Sequence, residues 1–311
     1  MAKKSIHITS IVCIAALVAV SGAFAGYTFI RLETKLIEGT ADGFNQARVF
    51  PHFDSYGNVH YVFEDDRNVT WHMFGSSILD DGSFLGSYVV WDQPGSHDIL
   101  GPHILPSTAF PTAMFAMGFN NNNNSIVLAE YDLTQLPASV NPNPINQNNI
   151  AGTGILDFKA LNVLDRIVYC YEEGQRLYLG GYDLSMGTWD TEIFLDPQTP
   201  GELTRVSLAK DDENFLYLAY NFLEYGSGEN RIFVHRSINA GDFTGGVHPA
   251  HDVTFASSLG SYATVLAVTG SNMMSDLYVS ILYIGPDPGF RAIECVTEFN
   301  GDWTTSGFSP Q

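Results

Sequence analysis

Apolar and polar positions along the chain fall into a repeated unit, a polar turn followed by a strand-like alternation with a tyrosine near its start. The unit reads Asp54–Asn58 then Val59–Phe63, Glu172–Gln175 then Arg176–Tyr182, Asp211–Asn214 then Phe215–Tyr220, and Ser271–Asp276 then Leu277–Tyr283. This reading places Tyr61, Tyr178, Tyr217 and Tyr278 at equivalent positions. An apolar strand precedes each turn: Arg48–Phe53, Arg166–Tyr171, Arg205–Ala209 and Ala263–Thr269. Another follows each alternation: Val69–Phe74, Glu192–Leu195, Arg231–Arg236 and Phe290–Phe299. Strand, turn, strand, turn, strand is an antiparallel meander. A meander repeated at this size predicts the blades of a β-propeller.

A further unit fits the long gap after Tyr61, with strands over Ala113–Phe119 and Ile126–Tyr131 joined by Asn120–Asn124. The fold class expected is therefore all-β, a propeller of about five four-stranded antiparallel blades, or six if one more occupies the gaps. One domain would cover 26–311, with Gly26–Glu38 supplying a strand that closes the ring. No segment after the first 30 residues keeps a helical period over three turns. A two-sheet sandwich and a solenoid are the rival architectures. Composition agrees with strands and turns: 15 Tyr, 21 Phe and 29 Gly, against 14 Pro.

The N-terminus departs from this rhythm. Lys3 and Lys4 precede an uncharged apolar run from Ile8 to Val20, and Ala23-Phe24-Ala25 supplies a small-residue cleavage pattern. Residues 1–25 read as a secretory signal, which makes the protein secreted or extracytoplasmic, at the cell envelope. The rival is an uncleaved membrane anchor over residues 8–30, long enough to cross a bilayer. N-terminal sequencing of the exported protein separates the two: a start at Gly26 is expected, and a start at Met1 or Ala2 in membranes establishes the anchor.

A formal charge of −20 excludes binding to a phosphate backbone, which needs a basic face. It leaves cation binding or plain solubility as its meaning. Cys170 and Cys295 remain after cleavage. They form a disulfide or stay buried thiols according to geometry.

Several segments carry a family resemblance. Ser237-Ile-Asn239-Ala-Gly241-Asp242-Phe243-Thr244 is similar to a Ser-x-Asp-x-Gly-x-Thr-Trp box, and Ser77–Phe84 and Ser185–Trp189 echo it around Gly82 and Gly187. With the turn-and-tyrosine strands, the chain resembles the sialidase-like propellers with degenerate Asp-box repeats. The resemblance implies a propeller, and a structural role for the boxes in turns. Catalysis in that family implies an arginine triad, a Tyr–Glu nucleophile pair and an acidic Asp. Arg48-Val-Phe-Pro51 resembles the family's first arginine motif; no other arginine motif and no Tyr–Glu pair is recognisable.

Candidate chemistry is otherwise diffuse. Glu64, Asp65, Asp66, Asp80, Asp81, Glu172, Glu173, Asp211, Asp212 and Glu213 are read as turn acids, where Asp is favoured for backbone reasons. His248-Pro-Ala-His251-Asp252 has a ligand-like composition without helical zinc spacing. Calcium on turn carboxylates is the one cofactor the pattern leaves open. Trp71, Trp91, Trp189 and Trp303 are available to stack on sugars or to fill the core. Asn68 and Asn123 lie in glycosylation sequons. Phosphate-binding, dinucleotide and Gly-x-Ser-x-Gly signatures are absent from the sequence.

These observations assign no catalytic or cofactor-binding residue and leave metal ligands undetermined. The function expected first is non-catalytic binding of a glycan or an extracellular protein, without sialidase activity. A sialidase-like glycoside hydrolase and a structural or adhesive envelope component are the alternatives.

Overall fold

A computed structural model describes residues 46–53, 57–65, 72–91, 99–106, 113–120, 124–132, 144–149, 155–173, 176–196, 201–227, 230–252, 265–269, 278–284, 291–299 and 302–306. Side chains are described chiefly between 157 and 252. The expected signal, the closing strand over Gly26–Glu38, Trp71 and the sequon residues Asn68 and Asn123 lie outside the described residues.

The described residues form antiparallel strands and no helix. They make five sheets in chain order. The first holds β1 (Gln46–Phe53), β2 (Val59–Asp65), β3 (His72–Ile78) and β4 (Phe84–Trp91). The second holds β5 (Ile99–Pro106), β6 (Ala113–Asn120), β7 (Ser125–Asp132) and β8 (Pro144–Asn149). The third holds β9 (Ile155–Val163), β10 (Arg166–Glu173), β11 (Arg176–Asp183) and an outer strand broken into β12 (Thr188–Trp189) and β13 (Ile193–Leu195). The fourth holds β14 (Gly201–Lys210), β15 (Phe215–Glu224), β16 (Asn230–Ala240) and β17 (His251–Asp252). The fifth holds β18 (Val265–Thr269), β19 (Tyr278–Ile284), β20 (Arg291–Phe299) and β21 (Asp302–Ser306). Each is a meander whose sequence neighbours pair.

First strands pack on first strands: β1 against β5, β5 against β9, β9 against β14 and β14 against β18. The sheets therefore meet along their first strands. Apolar layers fill the spaces on both sides of the third sheet. Leu105, Phe115, Met117, Phe119, Ile126 and Leu128 of the second sheet meet Phe158, Ile167, Tyr169 and Tyr171 of the third. Val168, Cys170, Leu177 and Leu179, on the other face of the third sheet, meet Leu203, Val206, Leu218 and Phe222 of the fourth. Cys170 is a free, fully buried thiol, and burial raises its pKa; the disulfide alternative does not hold for it.

The sequence register is correct for three of the four tyrosines. Tyr61, Tyr217 and Tyr278 lie on second strands, β2, β15 and β19, whereas Tyr178 lies on a third strand, β11. The second strand of that sheet is β10, with Tyr169 and Tyr171. Both β10 and β11 are apolar and tyrosine-bearing, and Glu172-Glu173 imitates a turn although it ends β10. The slip hid β9. Strands β6 and β7 fall where the fifth unit was expected.

The two ends of the sheets differ. At the lower end lie the turns joining first to second strands and third to fourth strands. All three box-like segments are third-to-fourth turns, with Gly82, Gly187 and Gly241 at φ +81°, +66° and +84°. Gly241 N–H donates to Asn214 O within the fourth sheet, and the third sheet touches it here, since the Leu164 side chain lies over Gly241. At the turn between first and second strands, the fourth sheet uses Asn214 in the left-handed region and the third sheet uses Leu164, at φ +56°. Leucine pays a steric penalty there that asparagine largely escapes.

Leu164 is 53% exposed, so its apolar contribution to the core is small. Leu164→Asn is expected to raise unfolding free energy by about 1 kcal/mol, read from denaturant melts. Gly180→Ala is expected to lower it by about 2 kcal/mol, because a Cβ at Gly180 collides with the Tyr169 ring.

Candidate functional site

Acids at the lower end have local work. Asp183 accepts from Ser185 N and Met186 N, Asp211 from Glu213 N and Phe215 N, and Asp242 from Thr244 N. Asp81, exposed, accepts from Ser83 N. These are side chains closing turns, as the sequence reading expects. Arg166 reaches Asp190 through two nitrogens, NH2 at 2.9 Å and NH1 at 3.2 Å from Oδ1, and stands 3.4 Å from Asp183. Burial raises the Asp190 pKa in spite of that arginine. Arg236 is buried with its guanidinium 3.8 Å over the Phe215 ring.

Acids at the upper end have no turn of this kind. Asp157 lies on β9 and Glu172 on β10, directly opposite each other in the antiparallel register. The alternation of β10 sends Tyr169 and Tyr171 toward the second sheet, so Glu172, like Cys170, faces the fourth. Asp157 and Lys159 share that face through their pairing with Glu172 and Cys170. Asp157 Oδ1 accepts from Lys159 Nζ at 2.5 Å, and its Oδ2 accepts from Val206 N at 3.2 Å. One aspartate thus ties two first strands, β9 and β14, together. Glu172 is fully buried. Asp157 and Lys159 keep 14% and 27% of their side-chain surface. Glu202, half-buried, is the second residue of β14, nearer the upper end on the neighbouring first strand; it pairs with Leu223 and so lies on the opposite face from Leu203 and Phe222, which face the third sheet.

Reading Glu172 and Glu173 as turn acids is corrected by this placement, and Glu64 and Asp65 likewise lie within β2. Arg48 lies on β1 and Pro51 pairs with Tyr61. Trp91 and Trp303 fall in β4 and β21. Trp189 packs against Tyr182 and Tyr169 at 4.8 and 6.0 Å between ring centroids, which makes it a core residue rather than a sugar platform. Asp157, Lys159 and Glu202 were not singled out from sequence. The available signal was the Asp–Lys alternation on a strand apolar at its other positions except Asn162.

A tyrosine–glutamate pairing, unrecognised in the sequence, exists in the third sheet. Tyr169 and Tyr171 both donate to Glu192, at 2.7 and 3.1 Å. Both phenols belong to residues with 0% and 1% exposure. A buried phenol meets no substrate, so the trio is a structural clasp and not a nucleophile. His248 and His251 do not join a ligand set: among the described residues no group of three or more His, Cys, Asp and Glu side chains gathers as a metal site. His248 N–H donates to Arg236 O, and its carbonyl stands 2.9 Å from His235 Nδ1.

No known family pattern matches the chain, and no curated relative matches it. Solved structures do. An α-L-arabinanase of Penicillium chrysogenum complexed with arabinobiose is 10% identical over 84% of this chain and 80% of that one, with a TM-score of 0.56. A GH93 α-L-arabinofuranosidase of Fusarium graminearum with arabinobiose is 12% identical over 84% and 80%, TM-score 0.54. A protein of unknown function from Dyadobacter fermentans is 10% identical over 86% and 83%, TM-score 0.54. At such identities the likeness shows the fold, which is all-β and β-propeller-like.

The likeness corrects the order of functions read from sequence. Non-catalytic binding stood first there because no active-site motif was recognisable. The chain shares its fold with glycoside-cleaving enzymes across most of its length, which moves the glycoside hydrolase alternative ahead of the non-catalytic binder.

Burial raises the Glu192 pKa, against the lowering effect of the two tyrosine hydrogen bonds. A carboxyl raised on folding stabilises fully below the ordinary glutamate range and loses that contribution as pH rises through the folded value. Wild-type melting temperature is therefore expected to fall more steeply than that of Glu192→Gln as pH rises above the ordinary glutamate range, about 4. Parallel slopes in melts of the two proteins would contradict this.

Proposed function

We propose that this protein is a propeller glycoside hydrolase, exported and working at the upper axial end of its blades. The described sheets are read as five four-stranded blades of one ring, and the three lower-end turns as degenerate Asp boxes. The observation that carries the reading is that Asp157, on β9, and Glu202, on β14, flank the upper end of β14 from its two faces, where neither carboxylate closes a turn.

Cleavage of a glycosidic bond takes two carboxyl groups. One protonates the departing oxygen, and the other either attacks the sugar or activates water. Asp157 and Glu202 are only partly buried and so remain open to a ligand. Asp157 is held in place from two sides, by Lys159 on its own strand and by the Val206 amide. Such a support fixes a reacting group in position. Glu172 is a positioning residue: it is shut away from water and pairs directly with Asp157 across β9 and β10. Arabinose-containing oligosaccharides are the first substrates to try, since the structural neighbours include enzymes solved with arabinobiose. Sialosides are not expected to be cleaved, because the buried Tyr169–Glu192–Tyr171 trio supplies no accessible nucleophile.

Asp157→Asn and Glu202→Gln are each expected to lower kcat on arabino-oligosaccharides by about a hundredfold or more, with unchanged melting temperature for Glu202→Gln. Sugar release resolved by chromatography measures it. Full activity in both variants would remove these carboxylates from the mechanism.

A further inference from the structure

The seam between the third and fourth sheets continues outward from Asp157, and its upper lip carries groups that the cleavage chemistry leaves unused. Asp157 meets β14 at Val206. Val206 pairs with Tyr220, Tyr220 with Phe233, and Phe233 with Asp252. This single row crosses the fourth sheet from its first strand to its last at the level of Asp157. Tyr220, Phe222 and Phe233 pack together beneath the lip, with ring centroids 5.6 and 6.2 Å apart. They belong to the layer facing the third sheet.

Arg231 pairs with Phe222 across β16 and β15, so it lies on that same face. Its guanidinium stands 3.4 Å from Asp252 and 3.5 Å from Glu224. These are long for ion pairs, and Arg231 and Asp252 retain 37% and 38% exposure. Just beyond Glu224, Tyr225 is 57% exposed at the turn from β15 to β16. An exposed aromatic residue that follows, at the same turn, a carboxylate paired with a guanidinium offers the kinds of group that hold a sugar. The ring meets its C–H face, and the charged groups meet its hydroxyls.

The exposed apolar residues divide by end. Leu164, Met186 and Ile238, all aliphatic, lie at the lower end. The aromatic Phe194 and Tyr225 lie elsewhere, Tyr225 at the upper end with the carboxylates. From β14 to β16 is two strand spacings, about 10 Å, comparable to a disaccharide.

We propose that the upper lip of the seam between the third and fourth sheets is an outer glycan subsite, with Tyr225 as its stacking platform and Arg231 as its hydroxyl-binding cation, holding the part of an oligosaccharide that extends about two sugars beyond Asp157 and Glu202. The proposal rests on the glycoside hydrolase reading and adds chain-length preference to it.

The test is a substrate ladder from arabinobiose to arabinopentaose, run on the full chain, on Tyr225→Ala, on Arg231→Gln, and on Met186→Ser at the opposite end as control. The KM of the Tyr225 and Arg231 variants is expected to rise with chain length, reaching about tenfold on the longer sugars, while Met186→Ser follows wild type throughout. A loss equal at every length, or no loss, overturns the subsite. If wild type cleaves nothing on the ladder, the hydrolase reading fails, and migration through gels containing soluble arabinan then decides the subsite by itself. Retardation of wild type and of Asp157→Asn, lost in Tyr225→Ala and Arg231→Gln, upholds it. Absence of wild-type retardation overturns it.

Discussion

Strands without a polar face need cover on both sides, and this constraint governs the structure. Six consecutive residues of β10, Ile167 to Glu172, are buried, and seven of β15, Leu216 to Phe222. A sheet built on such strands cannot leave either surface in water. It must stand between two others, and the others have the same need. Sheets of this kind stack side by side, and here they do so with their first strands together. Broken outer strands such as β12 and β13 are tolerable only at the rim, where little apolar surface remains to be covered.

Stacking along first strands also separates two kinds of end. The lower end is a set of short turns stitched by side-chain caps and left-handed residues, and the turns of adjacent sheets touch. Its aspartates serve the backbone. The upper end brings Asp157 and Glu202 onto neighbouring first strands, where neither closes a turn. An ionised side chain held half out of water is costly unless it is paired, and Asp157 meets that cost through Lys159 and the Val206 amide. The same hydrogen bond that secures the sheet junction thus also fixes the carboxylate, so fold and candidate chemistry share one contact.

The rhythm of strand and turn was legible in the chain because turns need polar residues and strands need alternation. Tyr61, Tyr217 and Tyr278 mark second strands correctly for that reason. Legibility failed in the third sheet. Glu172-Glu173 looks like a turn because two adjacent acids are rarely buried, yet burial of Glu172 is part of the candidate site. Misreading that pair displaced Tyr178 by one strand and concealed β9, and with β9 went Asp157 and Lys159. The clasp of Tyr169 and Tyr171 on Glu192 joins residues more than twenty positions apart, and no local pattern announces it. Glu202 is a lone acid at a strand start, a position that sequence alone does not distinguish from a solvated edge.

The central claim is that Asp157 and Glu202 face a sugar. The most direct measurement is a crystal structure of the protein with arabinobiose bound. The account predicts a sugar ring at the upper end, with hydroxyl or glycosidic oxygens within hydrogen-bond reach of Asp157 and Glu202. A disaccharide bound at the lower-end turns, or at the outer rim with both carboxylates turned away from it, would contradict it.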